Sequence, residues 1–225
     1  MVGGIGLGIA MISFIYSITN TTAAITLLCL AAMPFFTALL AFLFLKEKIS
    51  LNVWISMLIA TVGIIIMAVG NTEKNSLIGF VFGLTSSIGF SIFSVTLRWR
   101  KETPKFTTVA VAGLFCFITA TIMILVNKQP FFATSYNSAM FSLHGVLVCL
   151  GLILYSIGSK AIQAAELTLL SLTEVIGGIF WVWLPLFGIN EIPSTNTIVG
   201  GFFLFVSLIY YSLIMRWNKR YIALN

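Results

Sequence analysis

Apolar residues run along this chain in stretches of about 20, without the alternation that a half-buried strand requires. Eight such stretches can be laid down, at 3–19, 23–45, 51–70, 76–98, 107–126, 141–160, 164–187 and 196–215. A transmembrane strand needs only about 10 residues of alternating character, so these lengths predict helices crossing a bilayer rather than a barrel. In hydrocarbon each backbone N–H and C=O must find its partner within its own segment, which a helix provides. The expected fold is all-α, a polytopic transmembrane bundle of eight helices. The first stretch has no charged n-region and no A-x-A cleavage pattern, which argues against a cleaved leader.

Composition sharpens this picture. Of 225 residues, 60 % are hydrophobic and 8 % charged, against roughly 25 % charged in a soluble domain, and mean hydropathy is +1.10. A water-soluble enzyme and a disordered chain are both excluded. The net charge of +6 could suggest nucleic acid, but the placement of the charges points to lipid. With the amino terminus inside, the inner loops hold Lys46, Lys48, Arg98, Arg100, Lys101, Lys105, Lys160, Arg216, Lys219 and Arg220, and the outer loops only Lys74 and Lys128. This bias predicts a multi-pass protein of the cytoplasmic membrane with both termini in the cytoplasm. No basic patch is left for a nucleic acid partner. Trp54, Trp99 and Trp217 fall at inner helix ends, as an interfacial belt would place them. Cys29, Cys116 and Cys149 lie in apolar stretches without close spacing, so they read as small buried hydrophobes rather than a disulfide or zinc framework. No cofactor is indicated.

A weak internal repeat organises the chain. Tyr16-Ser17-Ile18 lies over Tyr155-Ser156-Ile157, an offset of 155 − 16 = 139; Pro34 lies over Glu174, and Glu47 over Glu191. Glu47 falls inside and Glu191 outside, so the two copies run in opposite directions. Inverted repeats around a midplane site are an architecture of secondary transporters.

The segment PFFTALLAFLFLKEKIS (34–50), followed by WISMLIATVGIIIM (54–67), resembles the end of an EamA-type repeat of the drug/metabolite transporter superfamily. SLTEVIGGIFWVWLPLFGINEIPS (171–194) resembles the matching part of a second repeat. The resemblance implies ten helices in two five-helix halves, of which this chain holds eight and lacks the first two. Residues 1–70 would be the last three helices of a truncated first repeat, 76–215 a whole second repeat, and 216–225 a basic cytoplasmic tail.

Glu174 is the sharpest candidate for chemistry. It lies ten residues beyond Ala164, about 15 Å along a helix and so near the centre of a core about 30 Å thick. A carboxylate there must face a cavity, find a partner or stay protonated. It would meet a cationic or amine-bearing substrate, carry a proton, or bond a neighbouring Ser or Thr. Tyr16 and Tyr155 occupy matching places; Ser13, Tyr16, Ser17 and Asn20 share one helix face, and Ser156 accompanies Tyr155. Such a stripe either lines water or binds another helix. Thr85, Ser86, Ser87, Ser91 and Ser94 read as packing residues beside Gly79, Gly83 and Gly89, although Ser87 and Ser91 could face a pore. Pro34 should kink its helix by removing one backbone hydrogen bond. Glu166 is expected to pair with Lys160, while Glu47 and Glu191 belong to repeat-end turns, and Trp181 and Trp183 to packing or the interface. The lone His144 has no ligand partner at metal spacing.

The leading expectation is a secondary transporter, a permease or exporter, moving a small metabolite by alternating access, with substrate and lipid as its partners. The chain contains no Asp, one His and no H-E-x-x-H, so it is not expected to be an intramembrane enzyme. A non-transporting membrane subunit, or an inactive truncated remnant, is the alternative. A second copy, or a partner supplying the absent helices, belongs with it.

Overall fold

The computed structural model describes residues 1–21, 23–47, 49–70, 77–99, 105–131, 134–183 and 195–224. Within them the chain forms α1 (Val2–Asn20), α2 (Ala23–Leu30), α3 (Met33–Leu40), α4 (Leu51–Gly70), α5 (Leu77–Trp99), α6 (Lys105–Val126), α7 (Ser135–Gly158), α8 (Ala164–Trp183) and α9 (Thr195–Leu224). A π-helical turn, Ala41–Leu45, continues α3. The fold is all-helical, as expected. Val2–Asn20, Leu77–Trp99, Phe106–Val126 and Ser135–Gly158 are long and apolar enough to cross a membrane, and Met33–Leu45, Leu51–Gly63 and Ile198–Tyr211 are shorter apolar stretches. Glu191, Lys74 and the 100–104 loop lie outside the described residues, as do the side chains of Trp181 and Trp183.

The expected second span is two helices rather than one kinked helix. Ala31 and Ala32 form a turn between them, and Pro34 stands at the start of α3, where a missing N–H costs nothing. The Ala32 carbonyl opens the new helix by accepting from Phe35 and Phe36 at 3.1 and 3.3 Å.

Small residues set how closely the helices approach. α1 lies along α5, and a Cβ built on Gly89 would sit 2.6 Å from the carbonyl oxygen of Gly6. Neither glycine could carry a side chain without pushing the two backbones apart. α4 packs against α9 and α3 against α8, pairs of helices that the repeat equates. Between them lies the main core, including Leu27, Met57, Leu169, Leu172 and Leu204. α6 and α7 stand at the periphery: 44 % of the α1 span is buried, but 11 % of α6 and 6 % of α7.

Candidate functional site

A helix broken inside an apolar bundle leaves carbonyl groups without helical donors, and in hydrocarbon something else must satisfy them. Here α5 does so. Ser87, fully buried, donates to the Cys29 carbonyl at the end of α2, which also accepts from the Ala32 N–H at 3.1 Å. One turn further along, Ser91 donates to the Met33 carbonyl at 3.1 Å. The two serines that could have faced a pore are thus committed to the break. Thr37, one turn beyond Met33, is fully buried and its Oγ1 has no hydrogen-bond partner among the described residues.

Glu174 lies across from this break. A Cβ built on Gly178 would sit 3.0 Å from Leu27 Cδ1, and Ala41 clusters with Ala164 at the other end, so α8 runs antiparallel to α2 and α3. Four residues back from Gly178 and four on from Leu27 bring Glu174 and Ala31 to one level, about 6 Å along the axes. Glu174 is exposed beside the buried stripe of Leu167, Leu169 and Leu172. No ion pair or hydrogen bond satisfies its carboxyl among the described residues.

The remaining candidates do not converge there. Tyr16 stacks on Phe82 and donates to Met123 Sδ at 3.3 Å. Tyr155 donates to Ser94 Oγ at 2.9 Å and packs edge-on to Phe90. Phe82 and Ser94 are twelve residues apart on α5, about 18 Å, so the matching tyrosines serve two separate places. Ser17 bonds Thr26 Oγ1 at 2.9 Å, tying α1 to α2, and Asn20 turns back to the Tyr16 carbonyl at 2.8 Å. On α1 the polar stripe therefore binds helices. Ser156 is fully buried, its Oγ unpartnered among the described residues. Glu166 hydrogen-bonds Tyr211 of α9. Cys149 is exposed, unlike buried Cys29, because it lies on the uncovered side of α7. No group of His, Cys, Asp or Glu that could hold a metal occurs among the described residues.

One feature escaped the sequence reading. Arg98 Nε donates to Glu47 Oε1 at 2.9 Å, both side chains 17 % exposed, and Arg98 Nη1 donates to the Lys160 carbonyl at 3.3 Å. Lys46 takes a left-handed conformation, φ 53°, as the chain leaves the π turn, and this carries Glu47 toward Arg98. The arginine fastens the end of the π turn, the end of α5 and the turn after α7. The adjoining charges at the end of 97–105 and in the KEK run were the available signal, but a separation of 51 residues hid the pairing.

Residues 1–69 match the EamA-like transporter family. Over these residues the chain resembles that family. It is 28 % identical over 130 residues to an uncharacterized transporter of Helicobacter pylori, covering 58 % of this chain and 44 % of that protein. The chain thus matches less than half the length of that relative. It is 24 % identical over 214 residues to the pseudopaline exporter CntI of Pseudomonas aeruginosa, covering 93 % of this chain and 72 % of the exporter. A transporter of Clostridium kluyveri matches at 24 % over 221 residues, with 92 % and 69 % covered. Among solved structures, one crystal structure superposes over 95 % of this chain and 77 % of its own, with a TM-score of 0.70 at 19 % identity. That likeness speaks for the fold.

Proposed function

We propose that this chain is a secondary transporter, permease or exporter, moving a small amine-bearing metabolite across the cytoplasmic membrane by alternating access. The observation that carries the reading is Glu174: an accessible carboxylate without an ion-pair partner among the described residues, level with the break between α2 and α3. A charge at that depth costs at least about 2.5 kcal/mol on insertion scales, and a substrate ammonium is a partner that offsets the cost while bound. Near the break, Thr37 offers a buried hydroxyl with no partner among the described residues, and polar groups beside discontinuous helices line transporter sites. Export by the Pseudomonas aeruginosa relative supports a small metabolite as cargo. The Arg98–Glu47 pair closes the end of the bundle that carries Lys160, which the charge bias assigns to the cytoplasm. Opening that end along the α3–α8 seam would part Arg98 from the Lys160 carbonyl.

The test is accumulation of radiolabelled amino acids and organic cations in membrane vesicles containing the chain, beside vesicles containing Glu174→Gln. A hydrogen bond to a charged group contributes about 1.5–3 kcal/mol, so uptake should fall roughly 10- to 100-fold with unchanged insertion. Uptake that survives the substitution removes Glu174 from the site.

A further inference from the structure

A threonine inside a helix can return its hydroxyl to the carbonyl four residues back. Thr61, Thr85, Thr96 and Thr168 do so, bonding Met57, Val81, Ile92 and Ala164 at 2.9, 2.8, 2.7 and 3.1 Å. Thr37 does not. The carbonyl it would use, that of Met33, already accepts from Ser91 Oγ at 3.1 Å. A carbonyl oxygen has two lone pairs; the helical N–H of α3 takes one and Ser91 the other. Thr37 Oγ1 is therefore left fully buried without a partner among the described residues, a state that costs free energy and calls for an explanation. Ser156 Oγ is in the same state, at about the same level. Ser91 on Met33 sets Thr37 level with Val95, and Ser94 on Tyr155 sets Ser156 there too.

That level lies six residues beyond Ala31, about 9 Å from the level of Glu174 along the helix axes. Between the two stand Met33, Leu169 and Leu172, all buried in one apolar cluster. A carboxylate would find no free cation at the Thr37 level among the described residues, because Arg98, further along α5, is held by Glu47. On the reading that Glu174 binds the ammonium of the cargo, we propose that the cargo is an aliphatic amine with a neutral hydroxyl about 9 Å from its nitrogen, and that Thr37 receives this hydroxyl when α3 and α8 part. A hydroxyl both donates and accepts, which suits an oxygen with neither bond made. The apolar stretch between the two levels suits an aliphatic spacer. A site built to hydrogen-bond a hydroxyl also discriminates against the analogue lacking it.

The test is equilibrium dialysis of the purified full-length chain in detergent micelles against two radiolabelled probes, with empty micelles as the blank. One is aminohexanol with its two groups at opposite ends of the chain; the other is hexylamine, which lacks only the hydroxyl. The parent should bind aminohexanol about tenfold more tightly than hexylamine. Thr37→Val should bring that ratio to about one by weakening aminohexanol alone, and Thr37→Ser should keep it. Glu174→Gln should weaken both probes alike and leave the ratio intact. Because valine replaces an unpartnered hydroxyl with a methyl of the same shape, Thr37→Val should melt no lower than the parent. A lower melting point would mean that the hydroxyl is already engaged, and would overturn the proposal. A ratio near one in the parent, or one that survives Thr37→Val, would also overturn it, while leaving Glu174 at the site. Binding of both probes that is indifferent to Glu174→Gln, or absent from the parent, would instead remove the ammonium contact and the proposal with it.

Discussion

The α2–α3 pair and α8 occupy equivalent places in the two repeats and solve the same crossing in opposite ways. The first is broken at Ala31–Ala32, carries no charge, and is held by hydroxyl groups of a neighbouring helix. The second is continuous through Ala164–Trp183, carries Glu174, and is held by the apolar contacts of Leu169 and Leu172, both fully buried. Where Pro34 stands in one copy, Glu174 stands in the other. A break can be sealed by polar groups from outside only if the helix itself brings no charge to the place. An unbroken helix satisfies its own backbone, and so can present a carboxylate at the same depth. One arm spends its neighbour's hydrogen bonds on structure, and the other carries a carboxylate with no ion pair among the described residues.

This contrast can be broken by substitution. Leu172→Ala should cost the most, about 2–5 kcal/mol, because it opens a cavity in the face that holds α8. Equilibrium unfolding in micelles measures it. A smaller cost than that of Ser87→Val would mean that apolar packing is not what fixes α8. Ser87→Val should cost about 1–3 kcal/mol by leaving the Cys29 carbonyl one donor short in a dry environment. The same unfolding experiment reads it, and a neutral result would show that the break seals itself. Gly178→Ala sharpens the comparison at its weakest point. The new methyl meets the flexible end of Leu27 at 3.0 Å, so stability should move by no more than about 0.5 kcal/mol. Uptake by that variant should stay near the parent level, since Glu174 one turn away keeps its place.

Much of this architecture is legible in the sequence, and the part that is not shares one cause. Runs of 20 apolar residues, the charge bias and the proline at position 34 announce the helices, their membrane setting and the place of the break. The depth of Glu174 follows from counting residues at a fixed rise. What cannot be read is which face of each helix meets which neighbour. In water an apolar stripe marks the inner face, but in a bilayer both faces are apolar and the stripe disappears. Ser87 could therefore be assigned neither to a pore nor to Cys29, 58 residues away. For the same reason Tyr16 and Tyr155, alike in sequence, land about 18 Å apart along α5. The Arg98–Glu47 pair was hidden because a π turn and a left-handed Lys46 set its geometry, and neither leaves a pattern in residue type.

The serines of α5 have a mechanical consequence. Ser86 bonds the Ala10 carbonyl at 2.8 Å, Ser87 that of Cys29 and Ser91 that of Met33, so α1, α2, α3 and α5 can shift only together. Ser207 bonds the Ser56 carbonyl at 2.7 Å and Glu166 bonds Tyr211, which joins α4, α8 and α9 into a second unit. Where α3 meets α8, Leu30, Met33, Leu169 and Leu172 belong to one apolar cluster, and apolar surfaces can slip past one another without breaking a hydrogen bond. The cheapest relative motion thus divides the molecule along that seam rather than between its repeats. Each repeat lends one helix, α4 or α5, to the body formed mainly by the other.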